Sequence, residues 1–296
     1  MAISIKNLSV VIVSFHSQEV IHHCIKSIPS AIKIIVVENS GDKTVKSILE
    51  NKYKNVECIL SSENIGMGAG NNLGLSYVRT DFAFVLNPDV VLEKNTIEEI
   101  IIGSNHLNFF GLIAPVSNNP KYPNYKFYKQ KNLSINSNVP VRVKSVDGFS
   151  MILNIKKLKQ YEDFKNNKFF DENFFMYLEN DDLCKRINKN KEKIYIVPNS
   201  KIKHLGGQAV SKKYNKQIEL SRNWHWIWSK FYYNKKHHGF WIAIINGLPT
   251  FFSAILKLIF YYLLNHKRKK IYYQRISGFL NALIGKKSYY RPKIND

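Results

Sequence analysis

The chain has 296 residues, with 44 Lys+Arg against 22 Asp+Glu and a formal net charge of +22. Residues 1–184 hold 20 basic and 19 acidic residues, whereas residues 185–296 hold 24 and 3, so the excess belongs to the last third. That distribution excludes a uniformly basic nucleic-acid binder, and 45% hydrophobic with 13% aromatic residues excludes global disorder.

The first half predicts strands and helices in alternation. Residues 8–15 are an apolar, β-branched run bounded by polar residues, the pattern of a buried strand. Only Lys6 precedes the run and no small-residue cleavage site follows, so it is read as a strand and not as a signal peptide. Residues 18–28 predict a helix ending before Pro29, and 33–37, 56–60 and 82–86 predict strands. Between them, 44–52 and 66–79 predict helices, and 93–104 predicts another. Such alternation implies βαβ units and a doubly wound, mostly parallel sheet whose ligands sit beyond the strand C-termini. Residues 117–145, with Pro120, Pro123 and Pro140, read as a long excursion. Residues 146–154 then read as a strand, 156–162 and 180–190 as helices, and 193–197 as a strand stopped by Pro198.

Cys24, Cys58 and Cys184 form no CxxC pair, so neither a zinc site nor a disulfide framework is expected, and a reducing compartment is the default. Four polar clusters follow predicted strands instead: Glu38, then Asn87-Pro88-Asp89, then Glu179 with Asp181 and Asp182, then His204. Several carboxylates and one histidine converging on a crevice suit a divalent cation bridging phosphate oxygens. The glycines at 66, 68, 70 and 74 admit two readings: close approach of backbone to a ligand, or tight helix–sheet packing. This stretch lacks the GK[ST] ending of a P-loop.

Taken in order, VVIVSFHS, VVENSGD, ENIGMGAGNNLGL, FVLNPDVVL, VDGFSMILN, FFDENFFMYLENDDLCKRI and IVPNSKIKHLGGQ resemble the family 2 glycosyltransferases of the GT-A fold, rhamnosyltransferase-like branch, over residues 8–210. The resemblance implies that Ser14, Phe15, His16 and Glu38 contact the base and ribose of a nucleotide. It implies that Asn64, Gly66, Asn71 and Asn87 line the donor, and that Asp89, with His204, holds Mg2+ or Mn2+ on its diphosphate. The family pattern Glu-Asp-x-Asp is met by Glu179-Asn180-Asp181-Asp182, so an amide stands where relatives carry the Asp taken as general base. Glu179 is then the candidate base and Asp181 the second, while Asp182 with Arg186 is read as an i,i+4 structural pair. Asp147-Gly148 resembles an acceptor-side loop.

Residues 1–210 are thus expected to form the GT-A domain and 211–296 a helical, membrane-associating region. All four Trp residues, 224, 226, 228 and 241, lie in the second part, and residues 239–256 are free of charge. Asn246, Thr250, Ser253, Lys257, Tyr261 and Asn265 make a narrow polar stripe on an otherwise apolar helix. With the basic cluster 266–270, this pattern favours a helix in an anionic membrane interface, or a shallow re-entrant hairpin bent at Pro249, over nucleic acid. A homodimer interface is the plainer alternative. The expected activity is inverting transfer of a sugar, rhamnose or similar, from a dTDP- or UDP-linked donor to a lipid-linked glycan at the cytoplasmic face of the plasma membrane. The competing reading is a nucleotide-sugar-binding scaffold without turnover, suggested by Asn180.

Overall fold

The computed structural model describes residues 2–128 and 139–292. The chain runs β1 (Leu8–Ser14), α1 (Ile21–Ser27), β2 (Lys33–Glu38), α2 (Lys43–Lys52), β3 (Val56–Leu60), α3 (Gly66–Ser76), β4 (Phe82–Leu86), β5 (Val90–Leu92) and α4 (Thr96–Asn105). It continues through β6 (Leu112–Ser117), β7 (Tyr125–Lys126), β8 (Val141–Val143), β9 (Ser145–Val146), β10 (Ser150–Asn154), α5 (Ile155–Leu158), α6 (Glu179–Lys189) and β11 (Ile194–His204). Three long helices follow: α7 (Asn215–His238), α8 (Phe240–Leu263) and α9 (Lys269–Leu283).

The main sheet has the order β3-β2-β1-β4-β10-β6-β11-β5, with β8 beside β11. Strands β1 to β4 pair in parallel, as do β6 and β11. The sheet is mixed, however: β10 runs antiparallel to β4 and β6, and β5 and β8 run antiparallel to β11. Neighbouring strand residues alternate between two cores. Val10, Ile12, Ile34, Val36, Phe82 and Phe84 fill one, and Val11, Ile35, Ala83 and Val85 fill the other. Burial on both faces is why these strands read as unbroken apolar runs.

Several elements differ from the sequence expectation for local reasons. Strand β6 carries Pro115 within it, and a proline demotes a strand in any pattern reading. Strand β11 does not stop at Pro198; it shifts register between Val197 and Lys201 and runs on to His204, which therefore ends the strand instead of following it. The predicted strand 146–154 is two strands: β9 pairs with β7 and β10 joins the main sheet. The excursion contains β7, β8 and the start of β9, and its residues 129–138 lie outside the described residues. The helix expected from residue 93 begins at Thr96, behind the three-residue strand β5, which is too short to show a period.

The chain divides into two compact units. The first comprises residues 1–65, 69–171 and 180–211 and holds the sheet. The second comprises 66–68, 172–179 and 212–296. Its core is Trp224, Ile227, Trp228, Phe231, Ala243, Phe279 and Ala282, contributed by α7, α8 and α9. Both buried indoles keep a partner: Trp224 Nε1 donates to Ser277 Oγ at 3.2 Å and Trp228 Nε1 to the Lys286 carbonyl at 3.0 Å. Pro249 removes one N–H from the α8 ladder without ending the helix, so the hairpin bend anticipated there is absent and α8 is continuous over 24 residues. Part of its polar stripe meets α7 and α9. Asn246 Nδ2 donates to Asn234 Oδ1 of α7 at 3.1 Å, Tyr261 stacks on Tyr272 of α9 at 5.4 Å, and Lys257 lies over the same ring.

Candidate active site

Strand β4 ends at Leu86, and Asn87 to Asp89 form the turn into β5. The Asn87 N–H donates to the Phe149 carbonyl at 2.9 Å, and the Asn87 carbonyl accepts from Val90 N–H at 3.1 Å. The turn thereby drives the Asp89 side chain inward, where it is 1% exposed. Residues 90–92 of β5 pair with 202–204 of β11, and Leu205 N–H donates to the Asp89 carbonyl at 3.0 Å. This pairing brings His204 Nε2 to 3.5 Å from Asp89 Oδ1, too long for a hydrogen bond and within ion-pair range. Asp89 Oδ1 itself is buried without a hydrogen bond among the described residues. The His204 ring is stacked on Phe149 at 3.9 Å with planes 21° apart, which fixes its orientation. Sequence reading missed Phe149, although it lies in the VDGFSM stretch that reading singled out.

Among the described residues no three His, Cys, Asp or Glu side chains gather into a metal-holding group. What remains is the pair Asp89 and His204, one hard oxygen and one imidazole nitrogen. Their 3.5 Å separation suits two donors to one cation, since each bond would be about 2.0–2.2 Å. An unsatisfied buried carboxylate oxygen is costly unless a ligand meets it, so the residues present fit a divalent cation whose other ligands come from phosphate or water.

The nucleotide-side candidates lie around the ends of β1 and β2. Ser14 pairs with Glu38 in the parallel register, and Ser14 Oγ is buried without a hydrogen bond among the described residues. Phe15 N–H donates to Ser17 Oγ at 3.1 Å. His16 adopts φ +49°, its carbonyl accepts from Ser211 N–H at 3.0 Å, and its ring meets Phe15 edge-on. Glu38 is buried; its Oε1 accepts from Ser40 N–H at 2.9 Å and from Ser40 Oγ. Asn64 Oδ1 accepts from Asn39 Nδ2 at 3.0 Å, and Asn39 Oδ1 accepts from Ile65 N–H at 3.1 Å. Asn39 was passed over in the sequence, and its position beside Glu38 in VVENSGD is the signal that was there. Asn71, on α3, is buried, and its Oδ1 has no hydrogen bond among the described residues.

Three of the α3 glycines are tightly packed. A Cβ on Gly70 would lie 2.9 Å from the Val13 side chain, and one on Gly74 would lie 2.4 Å from that of Val11. Gly66, with φ +87°, is pressed against Phe175: a Cβ there would stand 2.4 Å from its carbonyl oxygen. Met67 N–H donates to the same carbonyl at 2.7 Å, so this N–H of the helix start is already committed and not aimed at a phosphate.

Asn180 Nδ2 donates to the Val146 carbonyl at 3.0 Å, and Asp181 pairs with Lys126 at 3.1 Å. Asp182 and Arg186 form a buried pair at 2.8 Å, and Arg186 also donates to the carbonyls of Asp163 and Phe169, which makes this pair a scaffold. Burial pushes the Asp147 carboxyl above the usual carboxylate range, with Lys126 and His204 opposing the shift and Asp181 adding to it. Glu179 opens α6 and closes the 172–179 segment of the second unit.

The profile of glycosyl transferase family 2 matches residues 9–178, more than half of the chain. The chain belongs to glycosyl transferase family 2. It is 26% identical over 200 residues to the low-salt glycan biosynthesis hexosyltransferase Agl10 of Haloferax volcanii, and the match covers 62% of each chain. The chain thus spans less than two thirds of that relative's length. Two solved structures share the fold. One is GalNAc-T7 with UDP, GalNAc and Mn2+, at TM-score 0.51 and 13% identity, covering 67% of this chain and 43% of that one. The other is residues 1–349 of S. aureus TarS, at TM-score 0.50 and 12% identity, covering 96% and 93%. The first unit is accordingly a GT-A fold of the family 2 type.

Proposed function

We propose that this chain is an inverting glycosyltransferase that moves a sugar, rhamnose or similar, from a dTDP- or UDP-linked donor to a lipid-linked glycan during cell-surface polysaccharide synthesis. The observation that carries the reading is the buried, unsatisfied Asp89 Oδ1 facing His204 at the β4 end, in a chain of this family. Ser14 and Glu38 bind the nucleoside, with Glu38 accepting from an imide N–H or a ribose hydroxyl. Asn64, Asn71 and Asn87 position the diphosphate and sugar. Asp89 and His204 hold Mg2+ or Mn2+, whose charge, when bound, offsets that developing on the leaving diphosphate. Glu179 takes the proton of the acceptor hydroxyl. The acceptor oxygen bonds to the anomeric carbon as the bond from that carbon to the diphosphate oxygen breaks, and the diphosphate leaves with the electron pair. Assay of the purified chain with dTDP-rhamnose and UDP-hexoses, with and without Mn2+, tests this; binding without any transfer or donor hydrolysis would favour the scaffold reading that Asn180 suggests.

The second unit is proposed to dock on the cytoplasmic face of an anionic membrane. Helix α8 is long and apolar enough to cross a bilayer, and only 11% of its most apolar stretch is buried. Its outward residues include Trp241, Ile245, Phe252, Leu256 and Leu263, with Trp241 75% and Leu263 78% exposed. Lys235 and Lys236 precede the helix and Lys267 to Lys270 follow it, each worth about 1 kcal/mol against an anionic leaflet. An apolar face edged by cations suits a helix lying in the interface. Flotation with vesicles of stated charge tests it.

A further inference from the structure

The segment that leads to Glu179 has no regular structure of its own. Residues 171–178 form neither helix nor strand, and Tyr177 and Leu178 sit at φ +70° and +67°. Side-chain-bearing L residues enter that region only at a steric cost, so the surroundings must hold it. The holding contacts come from one face of α7. Ser229 Oγ donates to the Met176 carbonyl at 2.8 Å, the His225 ring stacks on Phe175 at 4.5 Å, and Tyr232 meets Phe174 edge-on at 4.9 Å. Residues 225, 229 and 232 fall at i, i+4 and i+7, one stripe of the helix. Trp226, beside that stripe, meets Tyr177 edge-on at 5.4 Å.

His225 is in turn held by residues 288–290. Its Nε2 lies 2.6 Å from the Tyr290 carbonyl, and its Nδ1 lies 2.9 Å from Ser288 Oγ. A carbonyl can only accept, so Nε2 carries the proton, and Nδ1 is left to accept from the serine hydroxyl. Arg291 completes the arrangement: its guanidinium lies 3.9 Å from the Phe175 ring centroid and donates to the Ser288 carbonyl at 2.9 Å. Tail, His225, Phe175 and the strained dipeptide therefore form one connected series that ends at Glu179. All of these residues belong to the second unit.

We propose that His225 and the tail Ser288–Arg291 act as a clasp on Phe175–Leu178 and thereby set the position of Glu179, with His225 as the positioning residue. The inference rests on the reading of Glu179 as the base. A buried, fully hydrogen-bonded imidazole stacked on the segment is what a clasp requires; core packing alone would be served as well by an apolar ring. Residues 288–291 thus bear on the reaction without touching the substrate.

The test uses the full chain and its His225→Phe, Ser288→Ala and Arg291→Ala variants. Phe at 225 keeps an aromatic ring and loses both hydrogen bonds, and the two tail changes are mild enough to keep the fold. Amide hydrogen exchange over 172–179 and turnover with UDP-glucose or dTDP-rhamnose are measured side by side. The clasp predicts exchange in that segment at least tenfold faster in His225→Phe, with β1 and β4 unchanged. It also predicts kcat lowered tenfold to a hundredfold with the donor KM within threefold, and smaller changes of the same kind in the tail variants. Unchanged exchange at 172–179, or faster exchange with undiminished kcat, overturns the proposal. Glu179→Gln serves as the control. If that variant is inactive while the clasp variants keep full kcat, the clasp alone fails; if it keeps full activity, the base assignment fails first.

Discussion

The Asn180 side chain donates to the Val146 carbonyl at 3.0 Å, tying the start of α6 to the strand that precedes Asp147. Within Glu179-Asn180-Asp181-Asp182 the amide is therefore employed as a donor, which a carboxylate could not be. Asn180→Asp is expected to lower stability by about 1–3 kcal/mol, because a carboxylate would face a carbonyl oxygen, and to leave turnover no higher than in the parent chain. Thermal unfolding and steady-state rates check both parts. A rate increase would mean that position 180, not 179, is the place for the base.

Gly66 gives a second expectation. Its φ of +87° and the 2.4 Å approach to the Phe175 carbonyl leave no room for a methyl group. Gly66→Ala should destabilise the chain by more than about 1 kcal/mol and speed exchange of the Met67 amide. Melting temperature and exchange report this directly; a neutral substitution would show that the contact is dispensable.

Acid should weaken the second unit. Burial holds His225 down at about 3, against an ordinary 6.5; the Tyr290 carbonyl works the other way, and Arg291 adds to the depression. Its other neighbours, Phe175, Trp224 and Ser288, carry no titratable group. The unfolded chain therefore binds a proton between about pH 6.5 and pH 3 that the folded chain does not. Stability from this group is complete above about 6.5 and falls as pH drops towards 3. Urea unfolding from pH 7.5 to 4 should show that decline, and His225→Phe should remove its share of it.

Membrane docking predicts that the chain floats with vesicles containing anionic lipid and not with neutral ones at low salt. Reversing Lys267, Arg268, Lys269 and Lys270 to Glu should weaken binding by at least tenfold, since each cation contributes about 1 kcal/mol. Equal flotation with neutral vesicles would contradict the electrostatic part. A concentration-dependent dimer that refuses vesicles would give the apolar face of α8 to a second copy.

The β1–β4 half of the sheet was legible because β1, β2 and β4 are buried on both faces and read as largely apolar runs. The mixed half was not. Strand β6 hides behind Pro115, β11 passes Pro198 by a bulge, and β5 is three residues long. Of the candidate site, Asp89 and His204 could be named from the turn and the strand that carry them. Their approach depends on the β5–β11 pairing, and no local pattern encodes a pairing across more than a hundred residues. Phe149 and Asn39 were missed because they act through other residues: one orients His204, the other holds Asn64. The polar stripe of α8 was visible, but only the folded chain shows that its Asn246 meets α7 and its Tyr261 meets α9.

The central claim is that Asp89, with His204, makes nucleotide binding depend on a divalent cation. Calorimetric titration of UDP and dTDP into the chain, with and without Mn2+, tests it most directly when repeated on Asp89→Ala. The account predicts at least tenfold tighter binding with Mn2+ in the parent chain, and loss of that gain in a folded Asp89→Ala. Metal-enhanced binding of equal strength in Asp89→Ala would contradict it.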